Sequence, residues 1–249
     1  MSIRIEGVSK SFGPKVVLDG FTLDVRDRET MVVIGHSGSG KSVLLKLIVR
    51  LLEPDAGTIV VNGRRVGELT RDELVELRRD VGFVFQFAAL FDSMTVAENV
   101  AMGLRRIREM TADAIEERVR EALTLVGLSE YGSRYPAELS GGQRKRAGLA
   151  RAIATHPKYL LYDEPTTGLD PVTTAVINRL ILKMRDELGV TSIVVTHDLQ
   201  SAYYIGDRIA MLYQGKVRFV GTPAEIQAVD DPVVRAFIEG RPELAEEVA

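Results

Sequence analysis

The chain opens on Ile3-Arg4-Ile5-Glu6, a strict alternation of apolar and charged residues that predicts a strand over about 3–8, at an exposed edge of its sheet. The turn residues Ser11-Phe12-Gly13-Pro14 separate it from a second strand pattern near 16–25, so the N-terminal sheet is expected to be antiparallel. The pattern then changes. Residues 31–34, 81–85, 159–162 and 192–196 are short apolar runs, as strands require when both faces are covered. Helical patterns alternate with these runs, which predicts a βα architecture around a central parallel sheet.

Over 41–52, Leu44, Leu45, Leu47, Ile48, Leu51 and Leu52 form one broad stripe, and Glu53-Pro54-Asp55-Ala56-Gly57 ends that helix. Thr70-Arg71-Asp72-Glu73 and Thr222-Pro223-Ala224-Glu225 have the spacing of capping boxes, the second with proline at the first helical position. A mostly helical insert, about 92–155, is expected as a subdomain, with the charges at 105–108 and 116–120 on solvated faces. The end of the chain reads as a hairpin over 208–220 about Gln214-Gly215, then two short helices and an acidic tail. Domain boundaries are expected at 1–221 for the main domain and 222–249 for a C-terminal helical extension.

The chain has 249 residues, 45% of them hydrophobic and 27% charged, enough for one large α/β domain and not the composition of a disordered chain. A net charge of −3 gives no basic field, so nucleic acid is not expected as a partner. The absence of cysteine excludes disulfides and thiolate metal sites. The longest apolar stretch, 81–91, is broken by Gln86 and falls short of the ~20 residues that cross a bilayer. The chain is expected to be soluble by itself and to meet a membrane only through a partner.

Candidate chemistry begins at Gly35-His36-Ser37-Gly38-Ser39-Gly40-Lys41-Ser42, which fits G-x-x-x-x-G-K-[ST] directly behind the apolar run at 31–34. Background residue usage would produce the four fixed positions roughly once in a hundred chains of this length, so the loop is taken as a nucleotide site. Glycines let backbone N–H groups close on phosphate, and the helix that begins near Lys41 adds its positive end. Lys41 is expected on the β- and γ-phosphates and the Ser42 hydroxyl on Mg²⁺. The pattern asks nothing of His36, which is read as a solvent-facing or packing member of the loop.

Tyr159-Leu160-Leu161-Tyr162-Asp163-Glu164 is an apolar strand ending in two carboxylates at the sheet edge where open α/β folds bind ligands. Asp163 is placed to hold Mg²⁺ through its water shell, and Glu164 to orient and deprotonate an attacking water. Leu139-Ser140-Gly141-Gly142-Gln143 opens a further helical pattern over 144–154, a second helix N-terminus with donors for an anion.

In this order and spacing, the 139–143 segment and Asp163-Glu164-Pro165 resemble the signature and Walker B elements of ATP-binding-cassette ATPases, over nearly the whole chain. The resemblance implies a P-loop NTPase of α/β class, with a RecA-like parallel core, an N-terminal antiparallel β subdomain and a helical subdomain. ATP and Mg²⁺ are the implied cofactors. Phe12 matches the aromatic that stacks on adenine, where the family more often has tyrosine and where a core-packing role stays open. Gln86 matches the glutamine that senses Mg²⁺ and the attacking water. Gly168-Leu169-Asp170 resembles the D-loop, and His197 matches the switch histidine at the γ-phosphate. Such ATPases pair head to tail, so Ser140, Gly141, Gly142 and Gln143 of one copy would complete the phosphate site of the other, which implies a homodimer.

Residues 86–100 carry several apolar side chains beside Gln86, and in the family this stretch receives a helix of the membrane subunit. With 161–171, it is similar to the ATPase of Mla/MCE phospholipid transporters. That similarity implies a transmembrane permease, an MCE-domain lipid-binding protein, room for a small STAS-domain regulator, and a peripheral position on the cytoplasmic face of the bacterial inner membrane. The alternatives left open are the ATPase of a polar amino acid or other solute importer, and a soluble cassette ATPase with no permease. A P-loop kinase fits less well, because it would leave Ser140 to Gln143 without a role.

Overall fold

A computed structural model describes residues 2–241, so the acidic tail expected after them lies outside the described residues. Two compact units emerge, one from residues up to 77 together with those from 191 onward, the other from 78–190. The first unit begins with β1 (Ile3–Phe12), β2 (Lys15–Val25), β3 (Thr30–Ile34), α1 (Lys41–Ile48), β4 (Ala56–Val61), β5 (Arg64–Arg65) and most of α2 (Arg71–Asp80). The second holds β6 (Val81–Val84), α3 (Val96–Leu104), α4 (Ala112–Leu125), α5 (Gly141–Ile153), β7 (Tyr159–Asp163) and α6 (Pro171–Leu188). The chain then returns to the first unit with β8 (Thr191–Thr196), α7 (Leu199–Ile205), β9 (Arg208–Tyr213), β10 (Lys216–Gly221), α8 (Pro223–Ala228) and α9 (Pro232–Ile238).

In the first unit β2, β1, β4 and β5 form an antiparallel sheet in that order. β1 is therefore an inner strand, which corrects the expectation of an exposed edge. Alternation reports that Ile3 and Ile5 are buried on one face. It carries no information about whether the backbone on either side is paired. The other sheet of this unit follows the order β10, β9, β3, β8, with β3 parallel to both β8 and β9. β3 and β8 are buried along their whole length, as their unbroken apolar runs require.

β9 and β10 pair through Gln214 and Gly215, both at positive φ (48° and 76°), the geometry of a tight two-residue hairpin. The Asp19 amide of β2 donates to the Gly215 carbonyl at 2.9 Å, so this turn ties the two sheets of the unit together.

α1 buries Leu44, Leu45, Leu47 and Ile48 but stops at Ile48, and Leu51 is 54% exposed, so the stripe expected to reach residue 52 ends a turn early. Arg50 takes a left-handed backbone (φ 52°), and its amide donates to Leu47 O at 3.0 Å while the Leu51 amide donates to Lys46 O at 2.8 Å. These are the two bonds of a Schellman end, here built without glycine. The Arg50 guanidinium, bonded to Leu69 O at 2.8 Å, helps hold the turn.

In the second unit β6 and β7 run parallel, with Val84 opposite Tyr162. α5 lies close on β6, since a Cβ on Gly82 would stand 2.5 Å from the Ala152 carbonyl oxygen. Buried Asn99 of α3 organises the preceding loop, accepting from Phe91 N at 2.8 Å and donating to the carbonyls of Phe91, Met94 and Thr95. The expected capping boxes form at Thr70 with Glu73 and at Thr222 with Glu225. The charges at 116–120 lie mostly on an exposed face, with Arg120 paired to Glu116 and Glu117.

Candidate functional site

In the first unit the loop of residues 35–42 joins β3 to α1. Ile34 of β3 stands opposite Thr196 of β8, so Gly35 and His197 leave adjacent strand ends on the same edge. Glycine is needed twice here for reasons of space. A Cβ on Gly35 would lie 2.6 Å from Leu212 O, and one on Gly40, already at φ 106°, would lie 2.6 Å from Val17 Cγ1. Lys41 is buried and curls its ammonium onto the carbonyls of Gly35 (2.8 Å) and His36 (3.0 Å). His36 is half-buried and bound into the loop, its Nδ1 2.9 Å from Ser37 O, while Ser37 and Gly38 face solvent. Ser42 sits in the first turn of α1.

The Ser39 hydroxyl is buried and has no hydrogen-bond partner among the described residues. A buried orphan of this kind inside a glycine-lined loop fits a phosphate group, which would supply the missing acceptor. Phe12 is 46% exposed, with the Lys10 ammonium 5.6 Å from its ring centre, so the core-packing alternative does not describe it. It ends β1 at the turn into β2, the strand whose Val17 touches Gly40. His197 is exposed just ahead of Asp198, which caps α7 by accepting from Gln200 N and Ser201 N.

In the second unit Gln86 lies two residues past Val84 and Glu164 two past Tyr162, so the strand register brings both out on one edge. Asp163 closes β7, and both carboxylate residues are buried, at 7% and 8% exposure. Glu164 has a left-handed backbone (φ 48°). Thr167 Oγ1 donates to Glu164 Oε2 at 3.0 Å, and Lys145 Nζ donates to the carbonyls of Glu164 (3.2 Å) and Thr167 (2.7 Å). Burial pushes the Lys145 ammonium down to about 8, against the opposing pull of the Glu164 charge.

Ser140 caps α5 in a full box. Its Oγ accepts from Gln143 N at 3.3 Å while Gln143 Oε1 accepts from Ser140 N at 2.8 Å. Two of the donors expected at this helix start are thus satisfied within it, and the amides of Gly141 and Gly142 lie outside the box. Gly141 has open space around it, whereas a Cβ on Gly142 would lie 2.4 Å from Thr173 Cγ2. Asp170 caps α6, accepting from Val172 N, Thr173 N and Thr173 Oγ1. Those bonds, the Thr173 hydroxyl first, hold its carboxyl below the usual carboxylate range.

Gln86 starts a turn in which Phe87 is 85% exposed and Ala88 and Ala89 are left-handed (φ 60° and 49°). Arg151 of α5 donates to both alanine carbonyls, at 2.8 and 2.6 Å. Lys145, Thr167 and Arg151 are contacts that sequence reasoning missed. A lysine or arginine on a polar helix carries no signal that its target is a loop carbonyl.

Residues 18–167 match the ABC transporter family. The chain is 40% identical over 241 residues to "Probable ribonucleotide transport ATP-binding protein mkl" of Mycobacterium leprae, covering 97% of this chain and 70% of that protein. It is 44% identical over 229 residues to "Sulfate/thiosulfate import ATP-binding protein CysA" of Bacillus cereus, covering 91% of this chain and 63% of that one. The chain thus spans about two thirds of the length of these curated relatives. Among solved structures, it is similar to the dimeric post-hydrolysis state of the ATP-binding cassette MJ0796 bound to ADP and Pi. The TM-score is 0.81 at 34% identity, over 89% of this chain and 98% of that one. It is also similar to cbiO1 from Clostridium perfringens, described as part of the ABC transporter complex cbiONQ. Here the TM-score is 0.83 at 28% identity, over 99% and 98% of the two chains. By these matches the chain belongs to the ABC transporter family as an ATP-hydrolysing cassette that uses ATP and Mg²⁺.

Proposed function

We propose that two copies of this chain pair on binding ATP and drive a membrane permease whose cargo is a phospholipid. The observation that carries the hydrolytic part is Glu164, buried at the end of a parallel strand with Thr167 on its carboxylate and Gln86 leaving the same edge. In this reading the amides of 35–42 and Lys41 hold the phosphates, and Phe12 stacks on the adenine. Ser42, Asp163 and Gln86 hold Mg²⁺, which when bound neutralises phosphate charge. Glu164 takes the proton of the attacking water, and His197 contacts the γ-phosphate. Ser140, Gly141, Gly142 and Gln143 reach the triphosphate of the other copy, as does the loop closed by Asp170. Their role is electrostatic, with amide donors and a helix N-terminus meeting developing negative charge.

Coupling to a permease is supported by the turn after Gln86, which leaves Phe87 and Phe91 exposed while Ala88, Val96 and Val100 are buried. Among the described residues no helix is long and apolar enough to cross a membrane, and in this reading a separate permease supplies the path. The similarity of 86–100 and 161–171 to phospholipid-transporter ATPases supports the lipid cargo, with an MCE-domain protein and a STAS-domain regulator as further partners at the cytoplasmic face of the inner membrane. The 44% identity to a sulfate/thiosulfate import protein supports a second reading, a solute importer.

Copurification in detergent from the native cell separates these. Bound phospholipid with an MCE-domain partner supports the first, a solute-binding partner supports the second, and no membrane subunit at all overturns both. For the chemistry, Lys41→Ala is expected to lose nucleotide affinity and turnover. Glu164→Gln is expected to keep affinity and lose turnover by about 100-fold or more. Near wild-type hydrolysis by the glutamine variant removes Glu164 as the base.

A further inference from the structure

Glu164 is held in a conformation that its own sequence disfavours. A left-handed backbone is strained for a residue that carries a Cβ. Pro165 follows it, and the residue before a proline is driven toward extended backbone. A strained residue persists only where its surroundings over-determine it. Around Glu164 those surroundings are concrete. Its carbonyl accepts from Lys145 Nζ at 3.2 Å and from the Thr167 amide at 3.4 Å, and its carboxylate accepts from the Thr167 hydroxyl at 3.0 Å. The same Lys145 ammonium holds Thr167 by its carbonyl at 2.7 Å, so one amine spans both ends of the turn 164–167.

We propose that Lys145 is a positioning residue for Glu164, a clamp from α5 that fixes the backbone of the base while Thr167 aims its carboxylate. The proposal rests on the reading of Glu164 as the base, given above. Its consequence for the assembly comes from where Lys145 sits. It lies five residues past Ser140 on the helix whose first turn is assigned to the triphosphate of the other copy. A shift of that helix start is therefore delivered, through one side chain, to the base that serves this copy's own nucleotide. An exposed lysine on α5 would have no such effect, whereas this one is half-buried and spends its donors on two loop carbonyls.

The test compares the full chain with its Lys145→Met, Lys145→Arg, Thr167→Val, Thr167→Ser and Glu164→Gln variants. Each is measured for steady-state ATP hydrolysis, for equilibrium affinity toward a fluorescent ATP analogue, and for melting temperature. Lys145→Met is expected to lower kcat by about 10- to 100-fold while affinity stays within about twofold. Lys145→Arg, which keeps cationic donors, recovers most of that loss. Thr167→Val lowers kcat in the same way, and Thr167→Ser does not.

A Lys145→Met chain that turns over within about twofold of wild type, while Glu164→Gln is inactive, overturns the clamp and leaves the base assignment standing. Affinity falling in step with kcat in a folded Lys145→Met chain also overturns it. Where Lys145→Met fails to fold, Thr167→Val decides, and unchanged turnover there counts against the proposal. Wild-type turnover by Glu164→Gln fails the base assignment itself, a separate result.

Discussion

A half-buried amine on two carbonyls gives the Lys145 site a pH dependence of known sign. Its folded value, about 8, lies below the ordinary lysine value of 10.5, so burying the charged form costs stability below about pH 8, and the cost lifts as pH rises through that value. Catalysis should run the other way, because deprotonation removes one N–H and the charge that grips Glu164 O and Thr167 O. The charge acting on this amine from the facing loop is the Glu164 carboxylate. Its neighbours Arg144 and Arg146 are turned away, onto the carbonyls of Leu139 and of Val126 and Gly127. We expect kcat of the wild type to fall as pH rises through about 8, and kcat of Lys145→Arg to hold across the same range. Superimposable profiles for the two proteins would refute this. Lysine 145 also shows what a sequence hides, since its type and spacing are those of any solvated helix position, and only the fold shows where its amine goes.

Helix ends separate what local patterns reveal from what they conceal. The boxes at Thr70 and Thr222 are legible because side chain and backbone exchange bonds over three residues, a relation written in the spacing. The end of α1 is not legible. Arg50 reverses the chain there without a glycine, helped by a carbonyl nineteen residues on, so the leucine stripe overran its helix. The edge expected for β1 failed similarly, because strand neighbours are a long-range fact. At α5 the cap and the proposed phosphate contact share one residue, and substitution can part them. Ser140→Ala should lose about 1 kcal/mol of stability with the cap. Ser140→Asp should stay within about 0.5 kcal/mol of wild type in urea unfolding, since aspartate caps as well as serine, yet lose ATP hydrolysis by placing negative charge where triphosphate is expected. Active Ser140→Asp protein would argue that this helix start never meets a phosphate.

For the molecule as a whole, family and catalytic chemistry were open to sequence reasoning because they rest on short motifs fixed to strand ends, and residues 18–167 match the family. Cargo was not, and the relatives that the chain resembles are named for different ones, ribonucleotide and sulfate/thiosulfate. Assembly gives the remaining prediction, because a pairwise phosphate site implies that specific hydrolytic activity rises with protein concentration until pairing saturates. Equal specific activity at every concentration, with no ATP-dependent dimer of Glu164→Gln in light scattering, contradicts it. The hairpin glycine at 215 extends the reach of the nucleotide loop further along the chain. β2 meets both turns, with Val17 against Gly40 and the Asp19 amide against Gly215, where an added methyl would come within 2.9 Å of that amide. A random screen for weakened ATP affinity should therefore recover position 215, through a strand pressed into the loop that no alignment of motifs would connect to it.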